Sequence, residues 1–209
     1  MISHEKKCIF IHIPKCGGGS VENLIWGWPR RTSDLWMGFV SEYHNKYQTG
    51  GLQHLLGTQI RQEFGNEIFS AYFKFAIVRN PWDRLYSQYH YMKQRRDLRE
   101  FIGMNEQDDF KRYLELIQRR NHVQWEHQCR FICDENGEFL VDFLGRFENF
   151  DNDVGVILNR LGMEPRELPR VNRTEHGPYY EAYDAEDIDL VGSLYRDDIR
   201  LLAYTFQHS

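Results

Sequence analysis

The sequence contains no long apolar run, no excess of basic residues and few cysteines or prolines. Four of its 209 residues are cysteine and six are proline. No apolar stretch approaches the roughly 20 residues of a membrane-spanning helix, and the first residues lack the apolar segment of a secretory signal peptide. The formal net charge is −5, which argues against a general nucleic-acid-binding protein. We therefore expect a cytoplasmic protein with reduced thiols, no membrane span and no nucleic-acid partner.

The cysteines and nearby histidines raise the question of a zinc site. His122, His127, Cys129 and Cys133 offer suitable ligand types, but the sequence has no CxxC pair. Cys129, Phe131 and Cys133 alternate along the chain as the residues of a half-buried strand do. We therefore predict a strand over these residues and no metal site.

Apolar and aromatic residues are plentiful, at 41% and 15% of the chain. A chain of this length can bury a real core, so we expect a single domain over residues 1–209. Apolar runs predict strands at residues 8–13, 73–78 and 140–147, and helical patterns cover residues 20–25, 58–64 (with Thr58 as N-cap), 81–93, 110–119, 153–161 and 185–206. This alternation predicts an α/β fold in three layers, with a central, mainly parallel sheet flanked by helices.

The motif HIPKCGGGS, residues 12–20, joins the first predicted strand to the first predicted helix. Glycines at such a junction let backbone N–H groups point at one spot, and the helix N-terminus adds partial positive charge. Lys15 adds a full positive charge, so the loop suits a phosphate-like anion. The alternative is a tight structural turn beside a solvated lysine.

The order of residues in this loop differs from that of an ATP-binding P-loop. A Walker A motif places its lysine after the glycines, whereas Lys15 precedes Gly17, Gly18 and Gly19. The predicted strand at residues 73–78 is followed by Arg79, with no acidic metal site evident there. An ATP-dependent phosphotransferase therefore fits poorly, and we keep it as an alternative.

A second strand-to-helix junction lies in FAIVRNPWDRLYSQY, residues 75–89. Arg79 stands where the predicted strand ends, which is where open α/β sheets bind ligands. Ser87 follows about two helical turns later, so a guanidinium and a hydroxyl could bind another phosphate. The alternative is a structural ion pair of Arg79 with Asp83 or Asp151.

Together the two motifs resemble the nucleotide-binding motifs of the sulfotransferases that use 3′-phosphoadenosine 5′-phosphosulfate (PAPS). The resemblance is strongest to the carbohydrate branch that includes heparan and dermatan 2-O-sulfotransferases and bacterial relatives. VDFLGRFENFDND (residues 141–153) and LYRDDIRLLAYTF (residues 194–206) resemble later parts of the family, so the likeness covers nearly the whole chain. The resemblance implies a P-loop-NTPase-like fold and sulfuryl transfer from PAPS to a hydroxyl of a small-molecule or glycan acceptor, with PAP as product.

The resemblance also implies roles for single residues. Lys15 would stabilise charge on the leaving phosphate, and Arg79 with Ser87 would bind the 3′-phosphate. The cradle for the 5′-phosphosulfate would consist of Lys15, Cys16, Gly17, Gly18, Gly19 and Ser20. Many relatives carry threonine or small residues here, so in this chain backbone N–H groups would make more of the phosphate contacts. Lysine and backbone dipoles supply the positive field, and no metal ion is implied.

His54 is the predicted general base, because relatives carry a histidine at a similar point and a neutral imidazole accepts a proton near neutral pH. The alternative is that His54 caps a helix or packs in the core. His12 is a rival at the end of the first strand, where it would orient the loop. Arg173, in VNRTEH, is predicted to contact the donor or an acidic substrate, with a solvated arginine as the alternative.

Aromatic side chains before His54 are candidates for an acceptor cleft, and core packing is the alternative for each. They are Trp26, Trp28, Trp36, Tyr43 and Tyr47. A non-catalytic module that binds PAP or PAPS is the remaining alternative to an enzyme.

Overall fold

The structure, a computed structural model, describes residues 1–27, 54–164 and 177–207. The chain divides into two compact units, one over Met1–Val78 and Gln128–Asn172 and the other over Arg79–His127 and Arg173–Ser209. The single domain expected from the sequence stays a prediction. No helix within the described ranges is both long enough and apolar enough to cross a membrane.

The described residues contain four strands and nine α-helices. The strands are β1 (Ile2–Ser3), β2 (Cys8–Ile11), β3 (Phe73–Val78) and β4 (Phe143–Arg146). The helices are α1 (Gly18–Trp26), α2 (Gly57–Ala71), α3 (Pro81–Lys93), α4 (Arg96–Ile102), α5 (Phe110–Ile117), α6 (Gln128–Ile132), α7 (Phe150–Arg160), α8 (Ala185–Leu194) and α9 (Arg196–Leu202). Short 3₁₀ turns occur at Val123–Trp125, Phe147–Asn149 and Tyr179–Ala182.

The first unit is built on a four-stranded sheet in the order β1-β2-β3-β4. β1 pairs antiparallel with β2, while β2, β3 and β4 run parallel to one another. Ile11 lies beside Ala76, and Val78 beside Arg146, so the three parallel strands end along one edge. The predicted mainly parallel sheet is therefore confirmed, and β3 has the predicted bounds.

Helices cover both faces of this sheet. On one face the rings of Phe10 and Phe75 stack with their centroids 5.1 Å apart. That face also carries Phe73, where the guanidinium of Arg160 in α7 lies 4.3 Å from the ring centroid. On the other face the start of α2 packs so closely on Ile11 that a Cβ at Gly57 would lie 3.0 Å from the Ile11 Cδ1 atom. The first unit thus has the predicted three layers.

The second unit is helical and has an aromatic core. Its buried rings are Trp82, Tyr89, Phe110, Tyr113, Trp125, Tyr179, Tyr183 and Tyr195. Phe110 and Tyr183 meet edge to face with centroids 4.8 Å apart, a favourable geometry for aromatic pairs. Much of the aromatic content of the sequence therefore serves to pack this unit.

Two local predictions are wrong. Residues 128–132 form helix α6 rather than a strand, because one helical turn buries Phe131 and Ile132 while the Gly137 turn returns Phe139 to pair with Cys133. An alternation of three apolar residues is too short to separate strand from helix. Thr58 does not cap α2, since the N-cap is Leu56, whose N–H donates to the Gln59 side chain at 2.8 Å.

Candidate active site

The loop between β2 and α1 contains two residues with left-handed backbone conformation. Lys15 has φ of 66° and Gly17 has φ of 78°. Glycine adopts this conformation freely, but a lysine there carries strain of about 1–2 kcal/mol. Such strain is typical of functional loops. The left-handed conformation turns the chain sharply at Lys15, the only lysine or arginine of the motif.

Two glycines allow close packing around this loop. A Cβ at Gly17 would lie 2.5 Å from the Phe150 ring, and a Cβ at Gly18 would lie 1.9 Å from the His12 Nε2 atom. Both distances are far inside van der Waals contact, so no side chain fits at either position. The first turn of α1 is therefore presented as bare backbone.

The N–H groups at the start of α1 are the candidate anion donors. The N–H of Ser20 already donates to the carbonyl of Gly17 at 3.1 Å. Helical geometry leaves the N–H groups of Gly18 and Gly19 for a ligand. The Cys16 thiol is buried and lies 3.5 Å from the Gln128 Oε1 atom, so Cys16 has only its backbone to offer to an anion.

A buried polar cluster lies directly below this loop. His12 is 8% exposed and Glu22 4%, and the His12 Nδ1 atom is 2.7 Å from Glu22 Oε1. The imidazole of His54 meets that of His12 edge to face, with centroids 4.5 Å apart. The cluster joins the end of β2, the first turns of α1 and the segment before α2.

The geometry of His54 sets its tautomer and its charge. Its Nδ1 lies 3.0 Å from the backbone carbonyl of His12, so Nδ1–H is the donor and the lone pair is on Nε2. Burial, followed by repulsion from His12, lowers the pKa of His54 to about 3. His54 is therefore neutral at pH 7, with one nitrogen able to accept a proton, although its burial also fits the alternative of a core histidine.

Arg79 and Ser87 lie in the second unit, Arg79 two residues before the first residue of α3 and Ser87 in the middle of that helix. The Arg79 Nε and Nη2 atoms donate to the two carboxylate oxygens of Asp83 at 2.7 and 2.9 Å. This is the ion pair that the sequence offered as the alternative role of Arg79. Ser87 is buried on α3, and Asn80 caps that helix by accepting from the N–H of Trp82 at 3.1 Å.

The first unit thus brings Lys15, the glycines, His12 and His54 into one cluster, while Arg79 and Ser87 lie before and within one helix of the second unit. Arg173 lies outside the described residues, as do Trp28, Trp36, Tyr43 and Tyr47. The indole of Trp26 donates to the carbonyl of Ile2 at 3.0 Å, so it ties α1 to β1. Sequence reasoning missed Glu22, whose signal was its place as the one charged residue of GGSVENLIW.

Several known proteins are similar to this chain. A family model described as "Sulfotransferase family" matches residues 1–205. An uncharacterized protein of Archaeoglobus fulgidus is 29% identical over 126 residues, which are 57% of this chain and 92% of that protein.

Two carbohydrate sulfotransferases also match. Carbohydrate sulfotransferase 10 of Xenopus laevis is 24% identical over 66% of this chain and 49% of its own length. The protein of that name from Danio rerio is 22% identical over 97% of this chain and 65% of its own length. The chain therefore spans about half of the first of these relatives and about two thirds of the second.

One solved structure is similar along nearly the whole chain. It is the crystal structure of a sulfotransferase from Alicyclobacillus acidocaldarius, with a TM-score of 0.45 and 16% identity. The match covers 97% of this chain and 100% of that one.

Proposed function

The chain belongs to the sulfotransferase family, and from this premise we propose that it transfers a sulfuryl group from PAPS to an acceptor hydroxyl. In the proposed reaction the acceptor oxygen bonds to sulfur while the bond from sulfur to the bridging oxygen of the 5′-phosphate breaks. The acceptor proton passes to a base, and PAP leaves with the bridging electron pair. The observation that carries the proposal is the strained turn at Lys15, which precedes bare helix N–H groups and lies above a buried neutral histidine.

Lys15 and the start of α1 are assigned to the 5′-phosphosulfate. The N–H groups of Gly18 and Gly19 donate to its oxygens, and the Lys15 ammonium stabilises the charge that grows on the bridging oxygen. This positive field needs no metal ion. Cys16 contributes its backbone to the cradle for the 5′-phosphosulfate. Ser20 belongs to the same cradle as a residue of the first turn of α1.

His54 is assigned as the general base. Its Nε2 lone pair accepts the acceptor proton, and its Nδ1–H stays bonded to the His12 carbonyl. Burial lowers the pKa of His54 to about 3, which makes a weak base. A bound anionic donor raises that pKa because negative charge favours the imidazolium form, so the base gains strength when the donor is present.

Arg79 and Ser87 are assigned to the 3′-phosphate of the donor, and Arg173 to a contact with the donor or with an acidic substrate. The Asp83 carboxylate holds the Arg79 guanidinium by two hydrogen bonds, which fixes its orientation before any ligand arrives. A preorganised guanidinium suits bidentate recognition of a phosphate. The acceptor is proposed to be a carbohydrate or glycolipid, since two relatives are carbohydrate sulfotransferases.

Thermal unfolding with PAP, PAPS, ATP and ADP, each measured once with EDTA and once with Mg²⁺, tests the proposed donor. A ligand at about 100 times its Kd stabilises the folded state by ~2.7 kcal/mol, which raises the melting temperature by roughly 5–10 °C for a chain of this size. We expect that shift with PAP and PAPS but not with ATP or ADP. A shift with ATP that requires Mg²⁺, and none with PAP, would instead establish the phosphotransferase alternative.

Lys15→Ala is the matched variant for this measurement, with Lys7→Ala as its control. Both lysines have left-handed backbone, with φ of 66° and 49°, but Lys7 lies in the turn between β1 and β2. We expect Lys15→Ala to weaken the PAP-induced shift and Lys7→Ala to leave it unchanged.

A further inference from the structure

The contact between His12 and Glu22 is deeply buried, although both side chains are titratable. Their Nδ1 and Oε1 atoms are 2.7 Å apart, and the side chains are 10% and 5% exposed. Removing a carboxylate from water is costly unless it is paired and hydrogen-bonded. Glu22 faces the sheet from the first turns of α1, where an apolar residue would be more favourable for stability. The buried pair therefore indicates a function other than stability.

His12 contacts three parts of the candidate site at once. Its Nδ1 side meets Glu22 of α1. Its Nε2 side lies under Gly18, where a Cβ would come within 1.9 Å of that nitrogen. Its backbone carbonyl accepts the Nδ1–H of His54 at 3.0 Å. The ring therefore supports the anion loop from below, and the same residue sets the tautomer of the candidate base.

We propose that His12 and Glu22 are a positioning pair that holds the first turn of α1 and the His54 imidazole in the geometry needed for sulfuryl transfer. The proposal rests on the proposed function, because it concerns the same donor loop. Glu22 fixes the rotation of the His12 ring through the Nδ1 hydrogen bond. The edge of the ring then fixes the position of the Gly18 backbone relative to β2. Neither residue exchanges a proton with the substrate in this role.

A double-mutant cycle on Gly18 and His12 tests the contact, with PAP affinity as readout. Gly18 is absent from the residues with left-handed backbone, so alanine is tolerated there except for its clash with the ring. We expect Gly18→Ala to weaken PAP binding at least about tenfold in the natural chain but less than about threefold in a His12→Ala background. Equal losses in both backgrounds, or no loss in either, would overturn the contact as the cause.

Substitution of Glu22 provides a second, independent test. Glu22→Gln keeps an oxygen that can accept from the His12 Nδ1–H, whereas Glu22→Leu removes it at similar volume. We expect PAP affinity to stay within about threefold in Glu22→Gln and to fall at least about tenfold in Glu22→Leu. If Glu22→Leu binds PAP as tightly as the natural chain, the pair does not position the loop.

The imidazole ¹⁵N shifts of His54 give a readout that stability alone does not move. In the natural chain and in Glu22→Gln we expect one protonated Nδ1 and one unprotonated Nε2 at pH 7. In Glu22→Leu we expect the two shifts to move toward each other, since a displaced His12 carbonyl no longer selects one tautomer. Unchanged shifts in that variant would contradict the link from Glu22 to His54.

Asp142→Asn is the matched control in the same unit. Asp142 pairs with Lys74, at the opposite end of the strands from the loop, with 2.9 Å between Nζ and Oδ2. Its loss should change the unfolding midpoint but not PAP affinity or the His54 shifts. Binding of PAP to the natural chain is measured first, so a failure of the proposed function appears there, while a failure of the positioning pair appears only in the variants.

Discussion

The Arg79 guanidinium and the Asp83 carboxylate face each other through two hydrogen bonds of 2.7 and 2.9 Å. Both side chains are largely buried, at 8% and 17% exposure. A bidentate pair of this kind restricts a long side chain that would otherwise sample many rotamers. The pair therefore places a rigid cation directly after β3, where the sequence predicted an anion site.

Arg79→Ala should remove the selectivity of the protein for a 3′-phosphate. A hydrogen bond between charged partners contributes about 1.5–3 kcal/mol, so PAP affinity should fall roughly 10- to 100-fold. The affinity for adenosine 5′-phosphate, which lacks the 3′-phosphate, should hardly change. Isothermal titration with both nucleotides measures the ratio directly.

Arg96→Ala is the control for that substitution, because Arg96 is 84% exposed in its pair with Glu100. It should leave both nucleotide affinities as they are. If Arg79→Ala weakens the binding of both nucleotides equally, Arg79 supports the fold rather than the 3′-phosphate, and the structural alternative is correct.

Lys15→Gly should stabilise the protein while it abolishes the proposed activity. Lys15 has φ of 66°, and glycine adopts that backbone without the Cβ penalty of about 1 kcal/mol that alanine or lysine carries. We therefore expect Lys15→Gly to have a free energy of unfolding about 1 kcal/mol above that of Lys15→Ala, measured by urea denaturation. PAP binding should be weakened in both.

Lys7 offers the same comparison away from the candidate site, since its φ is 49°. Lys7→Gly should also be more stable than Lys7→Ala, but with normal PAP binding. An unfolding free energy for Lys15→Ala equal to or above that of Lys15→Gly would show that the loop backbone is not strained at this residue.

His54 should make the protein less stable in acid. Its pKa is lowered from 6.5 to about 3 by burial and by repulsion from His12, so the unfolded chain binds a proton that the folded chain excludes. Stability linked to His54 is therefore complete above pH 6.5 and is lost as the pH falls toward 3, by up to about 1.4 kcal/mol per pH unit.

The His54→Gln variant isolates this contribution, because glutamine does not titrate. Urea denaturation at pH 7, 6 and 5 should show the free energy of unfolding falling more steeply for the natural chain than for the variant. A constant difference between the two proteins across this range would mean that His54 is protonated with equal ease in the folded and unfolded states.

Local signals explain how far the sequence predicted this structure. The run at residues 73–78 is β-branched and aromatic, and Asn80 and Pro81 after it are strong helix-start residues, so β3 and α3 match their predicted bounds. The three apolar residues at 129–133 carry no such signal, and tertiary packing places Cys129 and Phe131 in a helix and Cys133 in a bridge to Phe139. Periodicity over five residues cannot decide between the two.

Some residues of the candidate site were likewise predictable from the sequence, and some of its contacts were not. The positions of Lys15, the glycines and Arg79 were predictable, because each follows a predicted strand and open α/β sheets bind ligands at the carboxyl ends of their strands. The pairing of His12 with Glu22 was not, since it depends on how the left-handed residues of the loop turn α1 back over β2. The Arg79–Asp83 pair was foreseen only as an alternative, because four-residue spacing allows such a pair without requiring it.

Asn80 should contribute to stability through both ends of its side-chain amide. Its Oδ1 accepts from the N–H of Trp82 at 3.1 Å, and its Nδ2 donates to the carbonyl of Thr205 at 2.9 Å. Asn80→Ala removes both hydrogen bonds, and the carbonyl of the exposed Thr205 can then bond to water, so the free energy of unfolding should fall by about 1–2 kcal/mol. Asn80→Ser keeps a capping oxygen and should lose only about half of that, measured by urea denaturation. Equal losses in the two variants would mean that the bond to Thr205, rather than the cap, accounts for the whole effect.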